Sequence, residues 1–394
     1  MHGLHVLDLS RVLAGPWATQ HLADQGADVI KVEPPGGDET RGFGPFIDGH
    51  STYFMSVNRN KRSIVLDLRT DAGRSILDRL LGWADVLVEN YRPGVAERLG
   101  FGWTDVHPRY PRLCYVAIHA FGHQSDGVPD AWASRPGYDL VLQAMSGAVA
   151  ATGFPASPPT KSAMSTADLI AGLYASQAAL TALLERERTG RTQKIVINML
   201  QAQATALAHH ATRFLNTGEV EQQRGNSHRG LAPYDLYRCR DGFIAIACGN
   251  DAMWLRLVTA LKLPNPPEWH TNPGRVDRRA DVDAAITRAI ATLAVSAVDE
   301  RLATAGVPAG PVYTVDQTLT HPAVTVTAMA HPSLHEVHAP GPAFTTATTP
   351  TVHRHPPELG AHRDEILASF GYSTSAVDDL QKRGAFGAEG ADPG

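Results

Sequence analysis

The first 120 residues alternate between strand-like and helix-like segments, and no other feature of the chain narrows the fold as far. Leu4 to Leu9 is a short apolar run ending at Ser10-Arg11; Gly15-Pro16 then opens a helical pattern that Gly26 closes. Ala27 to Glu33 reads as the next strand, stopped by Pro34-Pro35-Gly36-Gly37. Ser63 to Asp67, Val86 to Val88 and Cys114 to Ile118 read as further strands, while Ile76, Leu77, Leu80 and Leu81 recur at helical spacing. Strict alternation of this kind argues for a parallel sheet with right-handed crossovers, an α/β fold. Ligands of such sheets bind outside the carboxyl ends of the strands. Arg11, Glu33, Asp67, Asn90 and His119 fall at those ends, all polar, as a binding crevice needs and as strand ends commonly are.

Beyond the alternating region the pattern predicts a long helix from about Ser165 to Arg188, broken by Gly190 before a strand at Lys194 to Ile197. A second helix is expected over Leu200 to Leu215. Composition then shifts: Asp241 to Ala247 reads as a hairpin-type strand, followed by helices near Trp254–Leu261 and Val282–Leu293, so a smaller α+β domain is placed at 222–327. That leaves a first segment, 1–221, and a last one, 328–394, rich in Pro and His before a helical tail.

Charge and cysteine content exclude several classes. Thirty-five basic against 40 acidic residues give a net charge of −5, so no general attraction to nucleic acid or an anionic membrane is expected. Three cysteines, Cys114, Cys239 and Cys248, form no C-x-x-C pair, which favours a reducing, cytoplasmic location over a disulfide scaffold. The opening Met1-His2-Gly3-Leu4-His5 has no basic-then-apolar leader pattern, and the most apolar stretch, Thr166 to Leu184, still contains Asp168, Ser176 and Gln177, so it reads as a buried helix and not a membrane span.

Among motifs, the turn Ser10 to Pro16 lacks the glycines of a dinucleotide-binding G-x-G-x-x-G, and neither a P-loop nor a G-x-S-x-G nucleophile elbow is present. His119/His123 and His209-His210 have no carboxylate or thiol at ligand spacing, so no metal is expected. Arg59, Lys61, Arg62, Arg69, Arg92 and Arg98 gather in the alternating half, where guanidinium groups can hold phosphates bidentately; each taken alone is as readily a solvated face. Asp168 stands in the first turn of the apolar helix. An acid there stabilises the helix dipole, but the apolar run behind it suggests a cleft floor, where nearby amides would hold the carboxylate ionised as a nucleophile.

Nearly end to end, the chain resembles the family III coenzyme A transferases, the CaiB/BaiF group that includes formyl-CoA transferase and α-methylacyl-CoA racemase. The resemblance rests on Val6-Leu7-Asp8 with Ala14-Gly15-Pro16, on Gly26 to Glu33, on Asn60-Lys61-Arg62-Ser63 and on Val88-Glu89-Asn90-Tyr91-Arg92-Pro93-Gly94. It continues through Thr189 to Gln193, Asp241-Gly242, Gly306 to Val312 and Leu359 to Glu365. It implies a Rossmann-like large domain made of 1–221 and the returning 328–394, an inserted small domain at 222–327, and an interlocked homodimer. It also implies coenzyme A and acyl-CoA as substrates, with no permanently bound cofactor, and a carboxylic acid as acceptor.

By the same resemblance Asp168 is the nucleophile, forming an acyl–aspartyl anhydride and then an aspartyl–CoA thioester. The CoA contacts fall on Leu13, Ala14, Leu66, Asp67, Arg69, Asn90, Arg98 and Tyr138, with Arg69 and Arg98 as phosphate ligands. Departures from the family matter. Gly137-Tyr138-Asp139 stands where the racemases carry Gly-His-Asp, which disfavours a proton-shuttling racemase or epimerase. Leu13 replaces the glutamine of oxalate-using formyl-CoA transferases, and Gly249-Asn250-Asp251 replaces their glycine run, which argues against oxalate. The alternatives to a CoA-transferase are that racemase or epimerase with another second base, and a catalytically silent CoA-binding homologue.

Overall fold

The protein is seen here as a computed structural model that describes residues 1–349 and 353–387; positions 350–352 and 388–394 of the expected return segment lie outside the described residues. Six strands form one parallel sheet: β1 His5–Asp8, β2 Asp28–Glu33, β3 Lys61–Val65, β4 Val86–Glu89, β5 Cys114–His119 and β6 Lys194–Asn198, in the order β3-β2-β1-β4-β5-β6. Strand order reverses between β1 and β4, which opens a crevice at their carboxyl ends.

Five helices accompany the sheet: α1 Ala14–Asp24, α2 Asp71–Trp83, α3 Asp139–Met145, α4 Thr166–Thr189 and α5 Met199–Ala206. Because successive strand residues point to opposite faces, the sheet divides its apolar side chains between two cores. Leu7, Ile30, Ile64 and Leu87 face α2 together with Ile366, Leu367 and Leu380 of the tail, whereas Val6, Val29, Val86, Val88 and Val116 face α1 and α4. The tail is tied directly to the sheet, since the Asp67 amide donates to the Ala385 carbonyl (2.8 Å) and that of His362 to the Ser63 carbonyl (3.0 Å).

Helix α4 is long and apolar enough to cross a membrane by composition alone, but here its face of small residues is covered by protein. Ala167, Ala171, Ala175 and Ala179 are fully buried, and α1 crosses so close that a Cβ on Gly172 would lie 2.6 Å from the Ala14 carbonyl oxygen. Glycine and alanine are what permit that approach.

By compactness the chain forms two units: 1–148, 162–217 and the described part of 325–394; and 149–161 with 218–324. The second has a three-stranded antiparallel sheet, Tyr234–Arg238, Phe243–Ala247 and Ala309–Pro311, whose core gathers Trp254, Leu257, Ile286 and Val298. Two sequence expectations change. The single helix over 200–215 is α5 followed by His209–Thr217, interrupted where Ala208 turns to φ +46°. The Pro- and His-rich stretch contains an antiparallel hairpin, Val326–His331 with His335–Pro340.

Candidate active site

The loop from β1 to α1 is built on buried charge. Asp8 is inaccessible; its carboxylate accepts from the Ser10 amide (2.9 Å), Thr19 Oγ1 (2.7 Å) and Lys61 Nζ (2.9 Å). Lys31, equally buried, donates to the Ser10 carbonyl (2.8 Å) and pairs with Asp38 at 2.9 Å. Burial opposes ionisation of Asp8, but Lys61, Lys31 and the hydroxyl donors overcome it and hold the carboxyl far below its usual range. For Lys61 burial dominates and lowers its pKa to about 8 despite Asp8.

This network fixes a strained turn. Val12 takes φ +65°, a left-handed conformation costly for a β-branched residue, and a Cβ on Gly15 would meet the Ser10 side chain at 2.2 Å. Across the crevice Asn90, just after β4, holds the Arg11 peptide at both ends: its Oδ1 accepts from the Arg11 amide (2.8 Å) and its Nδ2 donates to the Arg11 carbonyl (2.7 Å).

Arg11, Ala14, Asn90, His119, Tyr138 and Asp168 line one cavity of about 120 Å3, which Arg92 and Arg135 also border. Asp168 sits in the first turn of α4. Its neighbour Asp139, at the start of α3, accepts the Ala167 amide on Oδ1 (2.9 Å) and Gln143 Nε2 on Oδ2 (2.7 Å). Two carboxylates therefore meet at one helix start. Loss of hydration, and after it the charge of Asp139, push the Asp168 carboxyl up to about 7. The expectation that amides hold Asp168 ionised is thereby corrected. The Thr166 amide is taken by the Met164 carbonyl and that of Ala167 by Asp139, and no hydrogen bond reaches the Asp168 carboxylate among the described residues. The amide of Asp168 itself is uncommitted among those residues.

Tyr53 lies within the field of this pair, with its hydroxyl hydrogen-bonded to the Ser165 side chain. Burial, then Asp168 and then Asp139, raise its phenol to about 12, so the hydroxyl keeps its proton across the working pH range. No motif announced Tyr53, because the short helix that carries it, Thr52–Ser56, looks in sequence like any apolar turn.

The other sequence candidates separate. Leu13 is the buried residue before α1 and does not line the cavity, although its neighbours Val12 and Ala14 do. Leu66 is buried in the sheet core, and Asp67 and Arg69 pair with each other through two bonds of 2.8 Å at the end of β3. Arg98 donates to the Gly94 carbonyl (3.1 Å). None of Leu66, Asp67, Arg69 and Arg98 lines the cavity. Nor is the cluster of basic residues one surface. Arg59 binds buried Asp24, Lys61 binds Asp8 and Arg62 spans Asp28 and Glu365, so these three are internal ties. Of the strand-end residues, Glu33 is engaged with Arg41 and Ser63. By contrast Arg92 and Arg135, which border the cavity, have no carboxylate partner among the described residues, while Arg11 has Glu39.

His119, at the end of β5, is buried; its Nε2 lies 3.6 Å from Glu89 Oε1, and its Nδ1 has no hydrogen-bond partner among the described residues. The three cysteines are free and buried.

Comparison with known proteins identifies the family. The profile of CoA-transferase family III matches residues 1–363. The human succinyl-CoA:glutarate CoA-transferase is 35% identical over 98% of this chain and 89% of its own length. An acetyl-CoA:oxalate CoA-transferase of Acetobacter aceti is 38% identical over 79% of this chain and 80% of its own. In structure, a CaiB/BaiF family protein from Brucella suis superposes with a TM-score of 0.81 at 34% identity, over 93% of this chain and 98% of that one. The chain belongs to the family III CoA-transferases and is an enzyme of that kind.

Proposed function

We propose that the protein moves coenzyme A from an acyl-CoA to a free carboxylic acid through covalent intermediates on Asp168. The observation that carries this reading is a carboxylate, poised at about 7 by burial and lacking hydrogen bonds from the described residues, in the cavity at the switch point of the sheet. A carboxylate stripped of hydration is a better nucleophile than one held by donors. Its oxygen attacks the thioester carbonyl, the carbon–sulfur bond breaks, and CoA thiolate leaves an acyl–aspartyl anhydride. Thiolate then attacks the aspartyl carbonyl, releasing the first acid and leaving an aspartyl–CoA thioester. The acceptor carboxylate displaces thiolate to form a second anhydride, and thiolate takes its acyl group, which regenerates Asp168.

The uncommitted Asp168 amide is a donor for the tetrahedral oxyanion, worth about 3–4 kcal/mol when well aimed. Tyr53, kept protonated, donates to whichever carboxylate occupies the cavity. For CoA we retain Leu13, Ala14, Leu66, Asp67, Arg69, Asn90, Arg98 and Tyr138 as the binding set. Arg92 and Arg135, without carboxylate partners among the described residues, suit an acceptor with a second carboxylate. Several relatives are named for dicarboxylic acids, glutarate and mesaconate among them, and we place the acceptor in that class.

We further propose a homodimer, with 222–327 as an inserted domain between 1–221 and 328–394. In its favour, β6 is an edge strand beside a groove of about 470 Å3, and Leu173, Leu180 and Leu184 of α4 are exposed.

One observation favours a second reading. His119 brings an imidazole to the cavity from β5, so an acyl-CoA racemase or epimerase would have a second base despite Tyr138. Incubating the enzyme with a panel of acyl-CoAs and free acids in deuterated water, with mass spectrometry of the products, separates the two. New acyl-CoA pairs support transfer; α-deuterium without new pairs supports the alternative. Asp168→Ala should cost about three orders of magnitude or more in transfer rate, and full activity in that variant overturns the mechanism.

A further inference from the structure

Tyr53, hydrogen-bonded to Ser165 beside the start of α4 and within the field of Asp168 and Asp139, comes from a segment with little core of its own. Its helix, Thr52–Ser56, follows a hairpin of Phe46–Ile47 with His50–Ser51, and Phe46 and Ile47 are about half exposed. What holds the segment is a set of polar ties behind it. His50 is central. Its Nδ1 lies 3.0 Å from the Asp48 carbonyl oxygen and its Nε2 lies 2.7 Å from Glu358 Oε1. Both partners can only accept, so both ring nitrogens must carry protons and His50 is an imidazolium.

The surrounding groups agree with that proton count. Glu358 is also approached by His331 Nε2 at 3.6 Å. His331 Nδ1 accepts from the amides of Ser333 and Leu334, both at 3.2 Å, so the single proton of a neutral His331 sits on Nε2 and points toward the same carboxylate. His331 meets the rings of His50 and His355 edge-on, and His355 Nδ1 is committed to the Pro356 carbonyl (2.8 Å). Arg41, which lines a small separate cavity with His50, His331 and Glu358, is neutralised by Glu33; it also donates to the Pro357 carbonyl (3.0 Å) and covers the Phe54 ring at 3.7 Å. Glu358 is therefore the carboxylate that serves His50. Removing the His50 proton would set a lone pair against an acceptor at one end of the ring or the other. The hydrogen bonds to Glu358 and Asp48 also raise its pKa above the usual histidine value, in spite of burial.

We propose that His50 is a positioning residue of the active site: as an imidazolium bound to Glu358 it latches residues 43–56 to the return segment and so sets Tyr53 against Asp168 and Asp139. The inference rests on Asp168 as the reacting carboxylate. Because the His50 pKa is raised, the latch is closed at low pH and is lost as pH rises through the folded-state value.

The test is the pH dependence of kcat and KM for CoA transfer in the wild type, His50→Gln, Glu358→Gln and Tyr53→Phe, with NMR titration of the histidine rings in the wild type and in Asp168→Asn. The wild type should lose kcat on the alkaline side as His50 deprotonates. His50→Gln and Glu358→Gln should each lower kcat about tenfold with little change in KM, and should abolish that alkaline limb. Tyr53→Phe should abolish it too, and its combination with His50→Gln should be no worse than either alone. An alkaline limb that survives in folded His50→Gln overturns the proposal, as does a His50 ring that titrates without an upward shift. Dependence of kcat on a chelator in place of pH would also overturn it, in favour of a cation among the same side chains. The titration in Asp168→Asn reads the latch without catalysis, so a failed nucleophile assignment and a failed latch give different results.

Discussion

Two groups of enclosed charged side chains stand in this fold, and their chemistry runs in opposite directions. Under the β1–α1 loop, Asp8, Lys31, Asp38 and Lys61 are fully enclosed, and each has an opposite charge within 2.9 Å. At the start of α4, Asp168 and Asp139 are two like charges with no cation bound to either among the described residues. Enclosure alone therefore does not decide what a carboxyl does. In the first group counter-charges hold Asp8 ionised at any ordinary pH, whereas in the second loss of hydration and a like charge bring Asp168 to about 7. The first is a tie, and the second is a group left wanting a partner that substrate can supply.

Removing one member of each group should change stability with opposite sign. Lys61→Met leaves Asp8 enclosed with its main counter-charge gone, and we expect a loss of about 3–5 kcal/mol in denaturant unfolding. Little loss there would mean the network is slack and the contrast false. Asp168→Asn should act the other way. The folded carboxyl keeps its proton to about 7 and the ordinary one releases it near 3.8. The fold thus loses stability as pH rises between those values, and the deficit is complete above the upper one. The amide has no such deficit, so the variant should be more stable than wild type by up to about 4 kcal/mol above pH 7 and equal to it near pH 4. Equal stability at both pH values would break the comparison.

How far the sequence revealed these groups follows from what carries each. The parallel sheet was legible because β1, β2, β4 and β5 are short segments rich in apolar residues, separated by helical periodicity, and each can be recognised within a few residues. Asp168 was visible as an acid opening an apolar helix. Its proton affinity was not, because Asp139 approaches from 29 positions earlier and spends its carboxylate on the Ala167 amide, one of the nearby amides that could have served Asp168. Lys61 and Arg62 belong to the basic cluster that the sequence offers to phosphates. Alternation sends them to opposite sides, where Asp8 and Asp28 take them up. Tyr53 and His50 left no local signal at all, since their partners, Ser165 and Glu358, are fixed only by the chain's return over long separations.

A smaller effect probes the contact that brings the two groups together. On Gly172 of α4 a methyl group would stand 2.6 Å from the Ala14 carbonyl oxygen and 2.9 Å from Trp17 Cδ1. The carbonyl is backbone and cannot swing aside, so Gly172→Ala should part α1 from α4 and cost about 1–3 kcal/mol. Because Ala14 borders the cavity, CoA affinity should fall along with melting temperature. A variant that melts lower but binds CoA normally would show that the helix crossing serves stability alone.

The finest test separates the two causes behind Asp168. Burial is the larger and the charge of Asp139 the smaller. Asp139→Asn removes that charge while its amide oxygen can still accept the Ala167 N–H, so the start of α4 keeps its hydrogen bond. The Asp168 carboxyl should then titrate lower than in the wild type but still above 3.8, and the acid limb of single-turnover CoA transfer should move to lower pH by the same amount. A limb that stays in place would assign the whole shift to burial and remove the like-charge half of the contrast. A limb that falls to the ordinary carboxylate value would make Asp139 the dominant cause, and the reactive site would then differ from the buried network by the sign of one neighbouring charge.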